Sequence, residues 1–348
     1  MGTGHTVAVF GAYGHTGRFV VAELRERGLV PLLSGRDAGK LAALAANHPG
    51  LEFRPASVGD PGSLHRALDG AAAVINCAGP FVATAAPLIE AALSASIPYV
   101  DVSAEIEAIA DTFTEFADRA RAAGNAVVPA MAFFGGLGDL LATTAMGDWA
   151  AADEVHVAYG LSSWHPTAGT RAAGRVSRER RNGQRVRYSG GRLEYLDGDL
   201  PTLDWPFPQP MGTRPVIGEF TMADVATIPS HLSVPEVRTY MAAGAARDVA
   251  DPGTSAPTAV DERGRSDQTF LVDVVVRSGG TDRRAAASGQ DIYAVTAPLA
   301  VEAVRRILAG QTRTTGVASA GAIFDAPGFL RALSPHLTLE AAPPSRRR

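Results

Sequence analysis

Residues 6–18 read Thr-Val-Ala-Val-Phe-Gly-Ala-Tyr-Gly-His-Thr-Gly-Arg. An apolar, β-branched run ends in glycines at 11, 14 and 17 and passes into the amphipathic stretch Arg18–Arg27. This order predicts a strand, a tight turn and a helix. Gly11 permits the turn, Gly14 lets backbone come close to a pyrophosphate, and Gly17 lets the helix pack against the strand. The helix N-terminus then presents unpaired N–H groups to an anion. Tyr13, His15 and Thr16 lie in the same turn, so the whole segment is a candidate dinucleotide cradle.

Working outward, strand and helix signals alternate at short spacing. Leu29–Ser34 reads as a strand, Asp37 as the N-cap of a helix over Ala38–Ala46, and Leu51–Arg54 as a third strand. Helix Ser63–Leu68, strand Ala72–Asn76, helix Thr84–Ser94, strand Pro98–Val102, helix Ile106–Ala123 and strand Ala126–Ala130 follow. Six strands in this rhythm predict an α/β fold, with a doubly wound Rossmann domain over residues 1–135 and its ligand across the carboxyl ends of the strands. Beyond residue 140 the rhythm changes. Strands at Val155–Gly160, Val186–Tyr188, Leu193–Leu196 and Phe270–Arg277, with a helix at Gly169–Asn182, predict a second α+β domain of mixed sheet over 136–291. Such a domain commonly forms a cleft wall and a homodimer interface. Pro201–Pro215, with Trp205 and Phe207, reads as an ordered loop over the site or a partner. Asp251–Ser266 reads as mobile, Pro298–Leu308 as a helix, and 341–348 as a disordered tail.

Composition excludes much. The 348 residues are 46% hydrophobic with net charge −4, which gives no overall nucleic-acid footprint. No apolar run reaches the roughly 20 residues of a membrane span, and the N-terminus runs straight into the glycine turn, so a cytoplasmic protein is expected. Cys77 is the single cysteine, which rules out an internal disulfide and a thiolate-based metal centre; no His-x-x-x-His spacing suggests a metal either. Lys40 is the single lysine and stands in none of the contexts that Schiff-base catalysis, a Walker lysine or a Tyr-x-x-x-Lys pair requires.

The end of the second strand chooses between the two nicotinamide cofactors. An acid there would bind a ribose 2′-hydroxyl; here stand Ser34-Gly35-Arg36, with Lys40 one helical turn on. A guanidinium fork and a hydroxyl favour a 2′-phosphate, hence NADP(H). A solvated turn arginine is the alternative. Asn76-Cys77-Ala78-Gly79-Pro80 closes the fourth strand where such folds bring backbone to the nicotinamide ribose. Cys77 itself reads as a small apolar filler rather than a nucleophile. Glu105 reads either as a helix-dipole carboxylate or as a site residue.

Gly-Ala-Tyr-Gly-His-Thr-Gly, Ser-Gly-Arg, Asn-Cys-Ala-Gly-Pro-Phe and Tyr-Val-Asp-Val-Ser-Ala-Glu, in this order, resemble the saccharopine dehydrogenase-like NADP-dependent reductases, which include the trans-acting enoyl reductases. The likeness continues through Trp164-His-Pro-Thr-Ala-Gly-Thr170 and Asp291-Ile-Tyr-Ala-Val-Thr-Ala-Pro298. It implies a reductase, with the C-terminal helices of about 292–340 packing back on the first domain. Ser57 and Val58 stand where the family often has an acid facing the adenine. Phe133-Phe134-Gly135-Gly136 is unusually aromatic. The substrate-side candidates are Phe133, Phe134, Trp164, Thr170 and Arg171. Arg171, Arg175 and Arg178 share one helical face, as a clamp for a carboxylated or carrier-bound substrate or as a solvated surface.

The expected activity is hydride delivery from NADPH to a C=N, C=C or C=O bond of a small metabolite in a biosynthetic pathway. An imine needs little proton donation, whereas a ketone or activated alkene needs an acid. Tyr159, His165 and His231 are the leading acid candidates, with Tyr188 and Tyr240 behind them. A redox sensor or scaffold that binds NADP without turnover is the alternative class.

Overall fold

The computed structural model describes residues 4–346. In it Thr6–Phe10 is β1, and the glycine turn opens α1 (His15–Glu26). The alternation continues as β2 (Val30–Gly35), α2 (Ala38–Ala46), β3 (Phe53–Pro55), α3 (Pro61–Leu68), β4 (Ala73–Asn76), α4 (Phe81–Ser94), β5 (Tyr99–Asp101), α5 (Ile106–Ala122) and β6 (Ala126–Val128). These strands are parallel, in the spatial order β3-β2-β1-β4-β5-β6. The expected doubly wound sheet is therefore present. Helices cover both its faces, so Val7, Ala8, Val9, Val74 and Ile75 are all fully buried. Chain direction across the sheet reverses between β1 and β4, which opens a crevice at their carboxyl ends. Asp37 caps α2 as its position predicted, accepting from the Lys40 amide at 3.0 Å.

A wide turn over Phe133–Leu137 leads through α6 (Gly138–Met146) into the second sheet. Its elements are β7 (Glu154–Leu161), α7 (Ala168–Arg180), β8 (Arg185–Ser189), β9 (Arg192–Leu196), β10 (Thr202–Pro206), β11 (Thr213–Gly218), α8 (Asp224–Thr227), β12 (Val237–Ala242), α9 (Ala243–Ala250), β13 (Thr269–Ser278) and β14 (Thr281–Gln290). The chain ends with α10 (Thr296–Leu308), β15 (Gly316–Val317), α11 (Ala320–Ile323), α12 (Ala326–Ala332) and β16 (Leu337–Arg346). The second sheet runs β10-β11-β12-β7-β13-β14-β16, with β8 and β9 as a hairpin beside β12. Only β12 and β7 pair in parallel along it. Gly279 and Gly280 join β13 to β14 with φ of +54° and +79°, the left-handed pair a two-residue hairpin loop requires.

One apolar core links the halves. Val155, Val157, Val272 and Val274 on the inner face of the second sheet belong to the same cluster as Val7, Val9 and the α10 residues Leu299, Val301 and Val304. α10 is fastened to α1 by Glu302, which is fully buried and accepts from Arg27 at 2.6 Å, Arg305 at 2.8 Å and Arg306 at 2.6 Å. β15 extends the first sheet beside β6.

Three sequence expectations change. The 201–215 segment is the β10–β11 hairpin; its Trp205 and Phe207 are buried with Tyr240, Leu271 and Val275 on the far face of the second sheet, away from the crevice. Trp205 donates its indole N–H to Asp273 at 2.7 Å, which fixes it there. The 251–266 loop is bonded to the body at both ends: Arg171 donates to the Asp251 and Thr254 carbonyls, and Asp291 accepts from the Ser266 amide. The expected tail forms part of β16 up to Arg346, because β14 offers an open row of backbone groups that 337–346 completes. Residues 347 and 348 lie outside the described residues.

Candidate functional site

A cleft of about 1540 Å³ opens where β1, β2 and β4 end, with α7 and α9 on its opposite side. Its floor is backbone. Gly11, at φ +85°, donates its N–H to the Ser34 carbonyl at 2.8 Å, and a Cβ there would sit 2.9 Å from the Ala78 nitrogen. A Cβ on Gly17 would overlap the Gly11 carbonyl oxygen, whereas one on Gly14 would meet only that oxygen, at 3.1 Å. Gly11 and Gly17 thus serve the turn, and Gly14 faces the open cleft. Gly14 is the N-cap of α1 without a side-chain cap, and no acid lies in the first turn. The first-turn amides and the dipole are left for an anion. His15 and Thr16 line the cleft beside Gly14. The buried Nε2 of His15 has no hydrogen-bond partner among the described residues. Its ring packs edge-on against Phe19 and Tyr293, and burial holds its pKa below the ordinary value.

At the β2 end, Gly35, Arg36 and Tyr13 line the cleft, and Arg36 is exposed without an ion-pair partner among the described residues. Ser57 and Val58 line it next to them. Two neighbouring candidates do not. The Ser34 hydroxyl is buried and donates to the Arg54 carbonyl at 2.9 Å, because its strand position turns it into the sheet. Lys40 is drawn to Asp37 at 3.6 Å and lies 5.7 Å over the Tyr13 ring, outside the lining. Arg36 is therefore the cationic side chain that lines the cleft at the β2 end.

Beyond β4, Cys77, Ala78 and Gly79 line the cleft. Asn76 does not; it shapes the turn, its side-chain oxygen accepting from the Ala78 amide at 3.0 Å while its NH2 group bonds Thr84 and Tyr99. Pro80, also outside the lining, is the N-cap residue of α4 and has no side-chain donor or acceptor. Glu105 supplies the missing cap from the neighbouring strand end, accepting from the Phe81 and Val82 amides at 2.8 and 3.0 Å. Burial raises its pKa and those two bonds oppose the rise. Burial and the nearby Asp101 push the Cys77 thiol far up, which leaves it a filler. Asp101, which the Tyr99–Glu105 stretch places at the same rim as Glu105, is buried and raised to about 6 by desolvation. It accepts from the Tyr99 hydroxyl and from the Ser103 and Ala130 amides, tying β5 to the turn that leads out of the first domain.

The substrate-side candidates Phe133, Phe134, Trp164, Thr170 and Arg171 all line the cleft. Phe134 packs on Phe133 at 4.8 Å and on Trp164 at 5.0 Å, making an aromatic wall. Arg171 is a tether: it donates to the Asp251 and Thr254 carbonyls at 3.1 and 2.7 Å. Tyr293, a residue the quoted Asp291–Pro298 motif contained but chemistry alone did not single out, lies in the lining. Its hydroxyl bonds Thr170 Oγ1 at 2.9 Å, the Thr167 amide and the Trp164 indole at 3.3 Å, and the His165 carbonyl at 3.2 Å.

None of the three leading proton-donor candidates lines the cleft. Tyr159 points inward behind Phe133 and Phe134 and gives its hydroxyl to Asp224 at 2.8 Å. His231 pairs with the buried Asp139 at 2.7 Å. His165 turns its Nδ1 to the Ser255 carbonyl at 3.2 Å. Tyr240 bonds His156 on the far face of the second sheet, and Tyr188 is outside the lining. Among the described residues no group of three or more His, Cys, Asp or Glu could hold a metal ion, and no helix is long and apolar enough to cross a membrane.

Residues 7–128 match the saccharopine dehydrogenase NADP binding domain family. A probable mitochondrial saccharopine dehydrogenase-like oxidoreductase of Arabidopsis thaliana is 30% identical over 144 residues, covering 37% of this chain and 32% of that protein. The match thus spans about a third of that relative's length. The apo saccharopine dehydrogenase (L-Glu forming) of Saccharomyces cerevisiae has the same fold, with a TM-score of 0.65 over 98% of this chain and 100% of that one at 13% identity.

Proposed function

We propose that this chain, whose residues 7–128 match the saccharopine dehydrogenase NADP binding domain family, is an NADPH-dependent oxidoreductase that reduces the C=N bond of a small metabolite. The observation that carries the choice of bond is the state of four groups of the lining, Cys77, Glu105, His15 and Tyr293. The Cys77 thiol is pushed far up, Glu105 is occupied by two amides, His15 is held neutral between rings, and the Tyr293 hydroxyl is engaged with four groups. A reduced iminium becomes a neutral amine with no proton delivered to the reacting atom, so it suits this lining better than a ketone or an alkene.

The cofactor, when bound, supplies the hydride. The chain's residues do the rest. The α1 amides and Gly14 hold the pyrophosphate, and Arg36 the 2′-phosphate. The 77–79 turn, braced by Asn76 and Glu105, fixes the floor near the ribose. Phe133, Phe134 and Trp164 wall the acceptor from water. On this reading the enzyme works in a biosynthetic route in the cytoplasm. Leu203 and Leu339, exposed on the edge strands β10 and β16, support a homodimer that light scattering would detect.

Oxidation of NADPH followed at saturating cofactor with 1-pyrroline, a cyclic enone and a cyclic ketone tests the reading. The expected outcome is turnover with the imine well above the other two. Reduction of the enone or ketone alone moves the assignment to those bonds, and no consumption with any of them removes the enzymatic reading.

A further inference from the structure

The cleft has two chemically different ends on its second-domain side. Among the described residues, six arginines and three carboxylates line it, in a chain whose net charge is −4. Several are already committed. Arg171 is the tether to the 251–254 carbonyls, Arg181 pairs with the buried Glu107 at 3.4 Å, and Arg36 belongs to the nucleotide end. Arg175, Arg178 and Arg247 remain: each is exposed and has no ion-pair partner among the described residues. Arg175 and Arg178 lie one turn and two turns along α7 from Arg171 on the same helical face. Arg247 lies one turn before Asp251 on α9, the residue whose carbonyl Arg171 holds. The three arginines therefore line the cleft on the two elements, α7 and α9, that Arg171 joins. Of the carboxylates, Glu105 is spent on the α4 amides; Glu179 and Asp199 are the two exposed acids in the same lining.

The other end is apolar. Phe134, Trp164 and Phe220 form a chain of ring contacts at 5.0 and 6.4 Å, and the buried Met222 joins them in the lining. Trp164 is fixed to both sides of the seam, its amide donating to Asp248 of α9 at 3.0 Å and its indole to Tyr293. Trp164 thus ties the aromatic wall to α9, which carries Arg247, and through the Tyr293 hydroxyl and Thr170 to α7, which carries Arg175 and Arg178.

Resting on the proposed reductase reading, we infer that the Arg175–Arg178–Arg247 group is an anion subsite, and that the substrate is amphipathic, with its apolar reducible end against Phe134, Trp164 and Phe220 and an anionic carboxylate or phosphate tail on the arginines. A planar guanidinium meets either anion with paired N–H bonds, and unpaired arginines at a cleft mouth also draw anions in from solution. Carboxylate and phosphate share this chemistry; a free acid would bring the first and a phosphorylated carrier arm the second.

Calorimetric titration of the NADP-saturated protein with 4-phenylbutanol, 4-phenylbutyrate and 4-phenylbutyl phosphate separates the possibilities. At least one anionic probe is expected to bind about tenfold or more tighter than the alcohol. The preference is expected to vanish in the Arg175→Gln/Arg178→Gln protein, to shrink with added salt, and to return in part with Arg175→Lys/Arg178→Lys. Tighter binding of the butyrate assigns a carboxylate tail, and tighter binding of the phosphate a phosphorylated one. Equal binding of all three, no binding of any at millimolar concentration, or a preference untouched by the glutamine substitutions overturns the proposal. Both arginines are exposed, so their loss leaves the fold intact, and NADP titration of the same variants reports the cofactor site separately. If NADP fails to bind while the anion preference and its loss persist in the cofactor-free protein, the oxidoreductase reading falls and the subsite stands.

Discussion

The two walls of the cleft are built on different principles. On the nucleotide wall the binding groups are mainly backbone: amides at the start of α1, a glycine turn, and a bend after β4 whose shape is set by Asn76 and Glu105. On the opposite wall they are side chains brought from segments far apart in sequence: Trp164 packs on Phe134 and on Phe220, and Arg247 lines the same cleft. A backbone site needs particular residues at particular places, because only glycine fits. A side-chain site tolerates many residues at each position, provided the strands place them.

The largest effect is expected at the joint between the walls. Glu302 is fully buried and balanced by Arg27, Arg305 and Arg306. Burial alone would raise its pKa, but the bonds from Arg305 and Arg306 outweigh that and hold it low. Glu302→Ala removes the acceptor that Arg27, Arg305 and Arg306 share, while Arg27 keeps Glu23 at 2.6 Å and Arg306 the Gly328 carbonyl at 2.9 Å, for a loss of about 2–4 kcal/mol in denaturant unfolding. If the walls form one cooperative unit, a single transition shifts as a whole. Unfolding in two steps would show that the halves are joined less tightly than the shared core indicates.

Next comes the glycine requirement itself. A Cβ on Gly17 overlaps the Gly11 carbonyl within the turn, so Gly17→Ala is expected to cost about 1–3 kcal/mol by thermal unfolding and to abolish NADP binding. Gly14→Ala meets a single oxygen at 3.1 Å and is expected to spare the fold while weakening the nucleotide. Equal loss of stability in both variants would erase the distinction between a turn glycine and a cradle glycine.

On the same wall, Arg36→Ala is expected to lower NADPH affinity about 10- to 100-fold and to leave NADH affinity unchanged, as loss of a charged bond to one phosphate predicts. Calorimetry with the two cofactors checks it. An equal fall for both would make Arg36 a general contact rather than the group that selects the phosphate.

The contrast also explains what could be read from residue order. The six-strand alternation, the glycine cradle and the Asp37 cap follow from local rules of turn, period and cap, whereas Phe133, Phe134 and Trp164 were singled out by the family resemblance. The second sheet was only partly legible. β10, β11, β12, β14 and β16 are short, polar on one side or joined by loops that carry no strong signal, and their pairing partners are distant. The acid candidates were misplaced for a related reason. Residue type suggests that a histidine or tyrosine can donate a proton, but the partner that consumes that capacity, Asp224 for Tyr159 or Asp139 for His231, lies 65 or 92 positions away. Tyr293 was passed over because its importance lies in four bonds to residues well over 100 positions back, visible only after folding.

His231 offers the finest test, since its assignment to structure rather than chemistry has a pH signature. Burial would lower its pKa, but the charge and hydrogen bond of Asp139 outweigh that, and the net shift is upward from 6.5. Between 6.5 and the raised folded value the native state holds a proton that the unfolded chain has released. The stabilisation is therefore full below pH 6.5 and is lost as the pH rises through the folded value. Urea midpoints measured across that range should fall in the native protein, and the slope should flatten in His231→Asn, while turnover at saturating NADPH stays within about twofold, an effect smaller than any removal of a catalytic acid. Turnover lost in proportion to the imidazole, with the stability profile unmoved, would return His231 to the chemistry and make the second wall catalytic as well as shaping.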